Sequence, residues 1–397
     1  MTHRFALLTS VAALAAVLAH DTHTNAQTGT PRVVKIVGEA HKLLLRDDGT
    51  VAGWGQWQQA ELGSVEGLGT GRTVDHLVAI ALPGKAIDLA AGGQTSFALL
   101  ADGTVVGWGR GDRGELGVDP SARPLLPTST QAFQYRGFQR PTPIPSLAGV
   151  AAIAADVGAA YAVLRDGTVK AWGNNSLTPA PVAGLAGVAA VSAGGGAVLA
   201  LMKDGRVLSW GSNFYGALGR PPRVEGVLAT PGEVSGLTEV AQVVTGMGVS
   251  TALKKDGTVW VWGSNWQQQF GFPAPTLQPQ LNGGGYELTP QQVPGIAGAV
   301  EIAVGMGRQT LVRLKDGTLR GWGNSDFGQL GTGGGAGYQP RPMALKIAGV
   351  ARVFAAGNNS FAVRTDGSLW AWGSGGANEW PLKTNVRVPT PAPPDLK

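Results

Sequence analysis

The chain is 397 residues long, with 62 glycines, 25 prolines, only 14 % Asp, Glu, Lys and Arg, and a formal net charge of +5. So small a basic excess excludes the dense Lys/Arg stripe of a nucleic-acid binder. The absence of cysteine excludes disulfides, thiolate nucleophiles and thiolate metal sites together.

In chain order, the first stretch is "MTHRFALLTSVAALAAVLAHDTHTNAQTG". Arg4 supplies a positive start, Phe5 to Ala19 an apolar run too short to span a bilayer comfortably, and "TNAQ" a small-residue cleavage site after Ala26. Residues 1–26 are therefore expected to be a signal peptide and 27–32 a linker. The mature protein is then exported, periplasmic or extracellular, with no membrane insertion after cleavage. Loss of the signal leaves His41 and His76 as the only histidines.

From residue 33 onward one phrase recurs: Asp-Gly, a Thr-like residue, an aliphatic residue, two variable positions, Trp, Gly. Its seven copies run Asp48–Trp54, Asp102–Trp108, Asp166–Trp172, Asp204–Trp210, Asp256–Trp262, Asp316–Trp322 and Asp366–Trp372, with tryptophans 38 to 64 residues apart. A repeat of that period marks units that cannot bury their faces alone. Each copy sits in two short alternating runs, as in "SFALLADGTVVGWG". Asp-Gly there predicts a two-residue hairpin turn of type I′, which needs positive φ at both positions. A β-like run ending in Gly precedes each hairpin ("AIDLAAGG", "AVEIAVG"), and a Pro-rich extended run follows it ("PTPIPSLAG", "RPMALKIAG"). These are strands A, B, C and D, with proline placing D at the sheet edge. Seven four-stranded antiparallel units without helix periodicity predict an all-β, seven-bladed propeller over residues 33–397. Every blade is expected to be complete in sequence, with no exchanged strand.

The same count sorts the tryptophans. Trp262 has a counterpart in all seven blades and reads as packing between them. Trp260 faces Ala52, Val106, Lys170, Leu208, Arg320 and Trp370 at its offset, a permissive position. Trp266 has Phe214 as its only aromatic counterpart, so it is a site candidate.

The phrases "AGGQTSFALLADGTVVGWGRGDRGELG" and "GWGNSDFGQLG" resemble the repeat of the regulator of chromosome condensation family, roughly A-G-G-x-H-S-x-A-L-x-x-D-G-x-V-x-x-W-G-x-N-x-x-G-Q-L-G. The resemblance covers residues 33 to about 390 and implies the seven-bladed fold. Its members include a nuclear exchange factor for a small GTPase, a plant ultraviolet-B photoreceptor and exported bacterial proteins, so it implies guanine nucleotide exchange as one expectation. The departures are informative. The family's histidine survives only as His41, replaced elsewhere by Thr95, Ala159, Ala197, Val249, Gln309 and Asn359. The closing Gly-Gln-Leu-Gly is recognisable at Glu61–Gly63, Gly114–Gly117, Gly216–Gly219, Gln269–Gly271 and Gly328–Gly331, and is missing from blades 3 and 7. The photoreceptor's Gly-Trp-Arg-His-Thr is absent, and an exported protein does not meet a cytosolic GTPase.

Strand parity puts the A–B turns and C–D loops on one face and every Asp-Gly turn on the other. The first face receives the insertions 118–140 and 272–290 and the blade-specific aromatics Trp57, Phe214, Tyr215, Trp266 and Phe327, joined by Tyr135 and Phe138. Long loops on a rigid scaffold concentrate binding residues, and interfaces favour aromatics and Arg as anchors. His41 and Arg308 complete the candidate set from the A–B turns. The opposite face carries Arg46, Arg165, Lys203, Lys255 and Lys315 as solvated rim charges. The expected function is a non-catalytic, monomeric interaction scaffold for an unidentified protein or surface macromolecule, with no nucleic-acid partner, cofactor or metal. The competing reading is an enzyme for a glycan or cell-wall fragment, using Glu39, His41 and Arg308 in the channel mouth. A convergent acid pair there favours the enzyme, and an apolar, aromatic mouth favours binding.

Overall fold

The computed structural model describes residues 31–63, 73–127, 134–174, 176–221, 226–266, 269–272, 278–279, 285–375, 382 and 384–392. The expected signal peptide and most of the expected linker lie outside these residues.

Each Asp-Gly phrase closes a hairpin, though not as type I′. In the first, the Arg46 carbonyl accepts from the Gly49 amide at 3.0 Å and the Arg46 amide donates to the Thr50 carbonyl at 3.0 Å. Only the glycine has positive φ (86°), and Asp48 does not. This is a type I turn followed by a left-handed glycine, a three-residue hairpin loop. The aspartate is tied down because its Oδ1 accepts from the Thr50 amide (2.9 Å) and hydroxyl (2.7 Å). The same bonds hold Asp166, Asp256 and Asp316.

Seven sheets result, each built from consecutive strands. Blade 1 is β1 Val33–Gly38, β2 His41–Arg46, β3 Val51–Gln56 and β4 Thr73–Ile80, in that spatial order. Blade 2 spans Ala86–Pro143, blade 3 Val150–Pro181, blade 4 Val188–Glu233, blade 5 Val240–Gln292, blade 6 Ala299–Ala344 and blade 7 Val350–Pro391. Strand D is outermost in six of them. In blade 5 a two-residue strand, Gln278–Pro279, pairs beyond it, so part of the second insertion widens that blade. Among the described residues no strand is exchanged, as the sequence led us to expect.

The apolar cores lie between blades. Leu43, Leu45 and Val51 of blade 1 pack with Leu89, Ala98 and Trp108 of blade 2. The ring closes in the same way: Val33, Ile36 and Trp54 of blade 1 pack with Phe354, Phe361 and Leu369 of blade 7. Trp54 meets Phe361 edge-on at 6.0 Å. On the Asp-Gly face, the turn-glycine carbonyls Gly49, Gly167, Gly205, Gly257 and Gly317 each accept from the first A-strand amide of the next blade.

On the other face the repeated tryptophan does the equivalent job. Trp108 Nε1 donates to the Glu61 carbonyl, Trp172 to Glu115, Trp262 to Ala217 and Trp322 to Gln269, each at 2.8 Å, and Trp372 to Gln329 at 3.0 Å. Every acceptor lies in the closing Gln-Leu-Gly loop of the preceding blade. The loop and the tryptophan are thus two halves of one clamp between neighbours.

In all seven blades the A–B ladder shifts register after the first A residue. Such bulges re-aim a side chain. Third-position residues then cross between neighbouring A strands. Lys35 pairs with Asp88, and Asp88 accepts from the Ile153 amide. The Gln242 side chain bonds both backbone groups of Ile302, and Glu301 pairs with Arg352 at 2.9 Å.

Candidate functional site

The C–D loops begin with a fixed pattern. Two positions after Trp262 comes Ser264, then Asn265, whose buried Oδ1 accepts from the Phe270 amide at 3.0 Å. In blade 4, Asn213 does the same for Leu218 at 3.2 Å. The third position after the tryptophan therefore points inward, and the fourth and fifth point out. Phe214, Tyr215, Trp266 and Phe327 occupy the outward positions and are 52, 42, 46 and 39 % exposed. They come from blades 4, 5 and 6, three consecutive sectors of one face. Tyr215 reaches the A–B turn of blade 5, where a Cβ on Gly248 would sit 2.9 Å from its ring. Beside that glycine, Met247 is exposed, and Tyr338 is exposed where strand D of blade 6 begins. Neither residue is among those the sequence pattern singles out. Met247 was findable as the one large apolar residue in a turn otherwise made of glycine.

Five other expected residues sit differently. Trp57 is buried with Leu62 and Val74, because it stands at the third, inward position rather than the fourth. The offset from Trp54 was the available signal. His41 is buried, with Nε2 2.8 Å from the Ser96 hydroxyl. Phe138 is half-buried in strand D of blade 2 against the core around Phe97 and Trp172. Tyr135 is half-buried with the Arg110 guanidinium 4.6 Å above its ring. The insertion that carries it folds back through a Leu125–Arg136 bridge. Arg308, in a left-handed conformation (φ 62°), lines a shallow dent between the A–B turns of blades 5 and 6 with Met247, Val304 and Gly305.

The histidine of the expected catalytic grouping is withdrawn from solvent. Ser96 and His41 are at the spacing of a nucleophile and base, yet both are sealed from solvent. Ser96 Oγ donates to the Glu61 carbonyl at 2.9 Å, which leaves its lone pair to accept from His41 Nε2–H. Burial, reinforced by Lys42, lowers the His41 pKa to about 3, so the ring is neutral. Glu39 is pushed up by burial and by Asp156, an acid pair of sorts at the channel mouth. Asp156, however, is a strut: its Oδ1 accepts from the Val157 amide at 2.7 Å and its Oδ2 from the Gly196 amide of the next blade at 2.6 Å.

Fold and face together define a seven-bladed propeller whose outward chemistry is aromatic and concentrated on one side. The repeat of the regulator of chromosome condensation (RCC1) family matches this chain at residues 86–115, 188–217 and 204–253. The chain is 34 % identical over 161 residues to the RCC1 domain-containing protein RUG3, mitochondrial, of Arabidopsis thaliana, covering 39 % of this chain and 34 % of that one. It is 30 % identical over 335 residues to the human E3 ubiquitin-protein ligase HERC2, covering 82 % of this chain and 6 % of the ligase. It is 26 % identical to the Arabidopsis ultraviolet-B receptor UVR8 over 81 % of this chain and 60 % of the receptor. The chain thus spans less than two thirds of each of these relatives. Among solved structures it is similar to yeast RCC1 (Prp20) bound to Kap60, with a TM-score of 0.72 at 22 % identity, covering 94 % of this chain and 90 % of that one. Human WBSCR16 gives 0.71 at 19 % identity, covering 87 % and 94 %. At such identities these two likenesses establish the fold.

Proposed function

We propose that the protein is an exported, non-catalytic scaffold that binds another protein through the aromatic arc on blades 4 to 6. One observation carries this reading: Phe214, Tyr215, Trp266 and Phe327 are all exposed on three consecutive blades of the loop face. Large aromatics left in water are costly unless a partner covers them, and buried aromatic anchors dominate interface energetics. Similar propellers lend support, since yeast RCC1 (Prp20) was solved bound to Kap60 and has binding properties toward Gsp1p and histones. Export rests on the N-terminal sequence alone. It argues against a nucleotide-exchange role here, because that partner class is cytosolic.

The test is affinity capture from periplasmic and surface extracts of the producing cell. Mature protein from residue 27 is compared with a variant carrying Ser at 214, 215, 266 and 327, its fold checked by circular dichroism. Retention of a partner by the parent, reduced at least thirtyfold in the variant, is expected. Equal retention by both places binding elsewhere. The mass of the native protein in the same extracts is expected to begin at Gln27, and an intact Met1 sinks the export reading.

A further inference from the structure

Blade 3 lacks a part that every other blade has. In blades 1, 2, 4, 5 and 6 the closing loop lays Leu62, Leu116, Leu218, Phe270 or Leu330 into the blade top, all fully buried. Blade 7 lacks the phrase, but its longer C–D connection delivers Leu382 into the core around Trp54. In blade 3, strand C ends at Gly173 and strand D starts at Ser176, which leaves no room for such a loop.

The consequences are local and consistent. Ala171 is only partly buried, whereas Gly53, Gly107, Ser209, Val261, Gly321 and Ala371, its six counterparts, are all buried. Ala159 is only partly buried, whereas all six residues in its row, from His41 to Asn359, are buried. Across the seam stands Trp210. Its ring sits edge-on to Tyr161 at 6.0 Å, as that of Trp172 does to Phe97. Five counterparts donate Nε1 to a loop carbonyl of the preceding blade, but Trp210 has no such acceptor among the described residues. Elsewhere on blade 3, Val157 and Leu177 are exposed on the side of blade 2, near Gly93 and Gly114. The channel end is shut by Asp156 on the Gly196 amide.

We infer that this vacancy is a docking slot for a loop of a partner protein resembling the chain's own Gly-Gln-Leu-Gly. The incoming leucine covers Ala159 and Ala171, and the carbonyl preceding it accepts from Trp210 Nε1. The occupant is specified because five loops of this shape already sit at the equivalent place on the same scaffold. The slot presents one N–H donor and a neutral apolar floor, which suits a peptide and offers nothing to a phosphate. It lies on blades 3 and 4, whereas Trp266 of the aromatic arc lies on blade 5.

The probe is the end-capped peptide Asp-Phe-Gly-Gln-Leu-Gly-Thr, the chain's own residues 326–332. It is titrated into the full-length, 15N-labelled protein while the Trp210 indole signal, identified by its loss in Trp210→Phe, is followed. A saturable shift of that signal is expected, with at least tenfold weaker binding to Ala171→Leu, which fills the slot from within. Should Ala171→Leu misfold, Ala159→Leu on the other side of the slot floor is expected to weaken binding by a similar factor. A peptide with Asp in place of Leu is expected not to bind, and Trp266→Ser is expected to bind normally. An unmoved Trp210 signal at millimolar peptide overturns the proposal. So does unchanged affinity in the folded slot variants, equal binding of the Asp peptide, or loss of binding in Trp266→Ser.

Discussion

At the residue scale, the junction of blades 1 and 2 holds two buried titratable groups that pull in opposite directions. His41 is neutral in the fold, with its pKa lowered from 6.5 to about 3 chiefly by burial. Its contribution is therefore whole above pH 6.5 and is lost as pH falls from there toward 3. Glu61 is raised from 4.5 to about 7, again chiefly by burial. Its contribution is whole below pH 4.5 and is lost as pH rises toward 7. Between pH 5 and 8 each amounts to about 2 kcal/mol, with opposite sign. The parent is accordingly expected to show a shallow stability profile. Glu61→Gln is well tolerated in this account, because Gln329 already does the same work in blade 6. Its Oε1 accepts from the Phe327 amide at 2.9 Å, as Glu61 Oε2 accepts from Gln59 at 2.7 Å. Urea unfolding of Glu61→Gln should then gain stability from pH 5 to pH 8, and His41→Asn should lose it. Matching slopes in the two variants would falsify the assignment.

At the scale of the element, the hairpin turn depends on its glycine in two ways. Gly257 has φ 81°, and a Cβ there would lie 2.9 Å from the Gly298 backbone of the linker leading to blade 6. Gly295 has φ 73° with nothing within 4 Å. Gly295→Ala is expected to cost about 1 kcal/mol for its dihedral alone, and Gly257→Ala about 2 kcal/mol or more, because backbone must also move. Equal urea midpoints for the two variants would show that the turn does not bear on its neighbour. Strand content, blade count and the packing role of the tryptophans were legible in the sequence, because seven copies separate what repeats from what varies. The turn type was not, since Asp-Gly serves both kinds of hairpin and the Asp-to-Thr bonds that select one are three-dimensional. Trp57 was misplaced for a simpler reason: one residue of offset in the C–D loop decides whether a side chain faces the core or water. The open blade 3 top could have been suspected from its missing Gln-Leu-Gly. That blade 7, equally lacking, is filled by Leu382 required the structure.

At the scale of the whole molecule, the ring is a closed circuit of similar junctions: turn-glycine carbonyls on one face, tryptophan clamps on the other, and apolar cores between. Such a scaffold holds its loops rigidly and leaves their outward residues free to vary, which is where the aromatic arc lies. The opposite face carries the exposed Arg165, Lys203, Lys255 and Lys315 beside hydrogen-bonded turns that already use their carboxylates. The central claim is that partners meet the loop face over blades 4 to 6. Hydrogen–deuterium exchange of the protein with and without its captured partner tests this most directly. The account predicts slowed exchange in residues 213–218, 246–248, 264–266 and 325–328. Protection confined to the Asp-Gly turns at 203–206, 255–258 and 315–318 would contradict it.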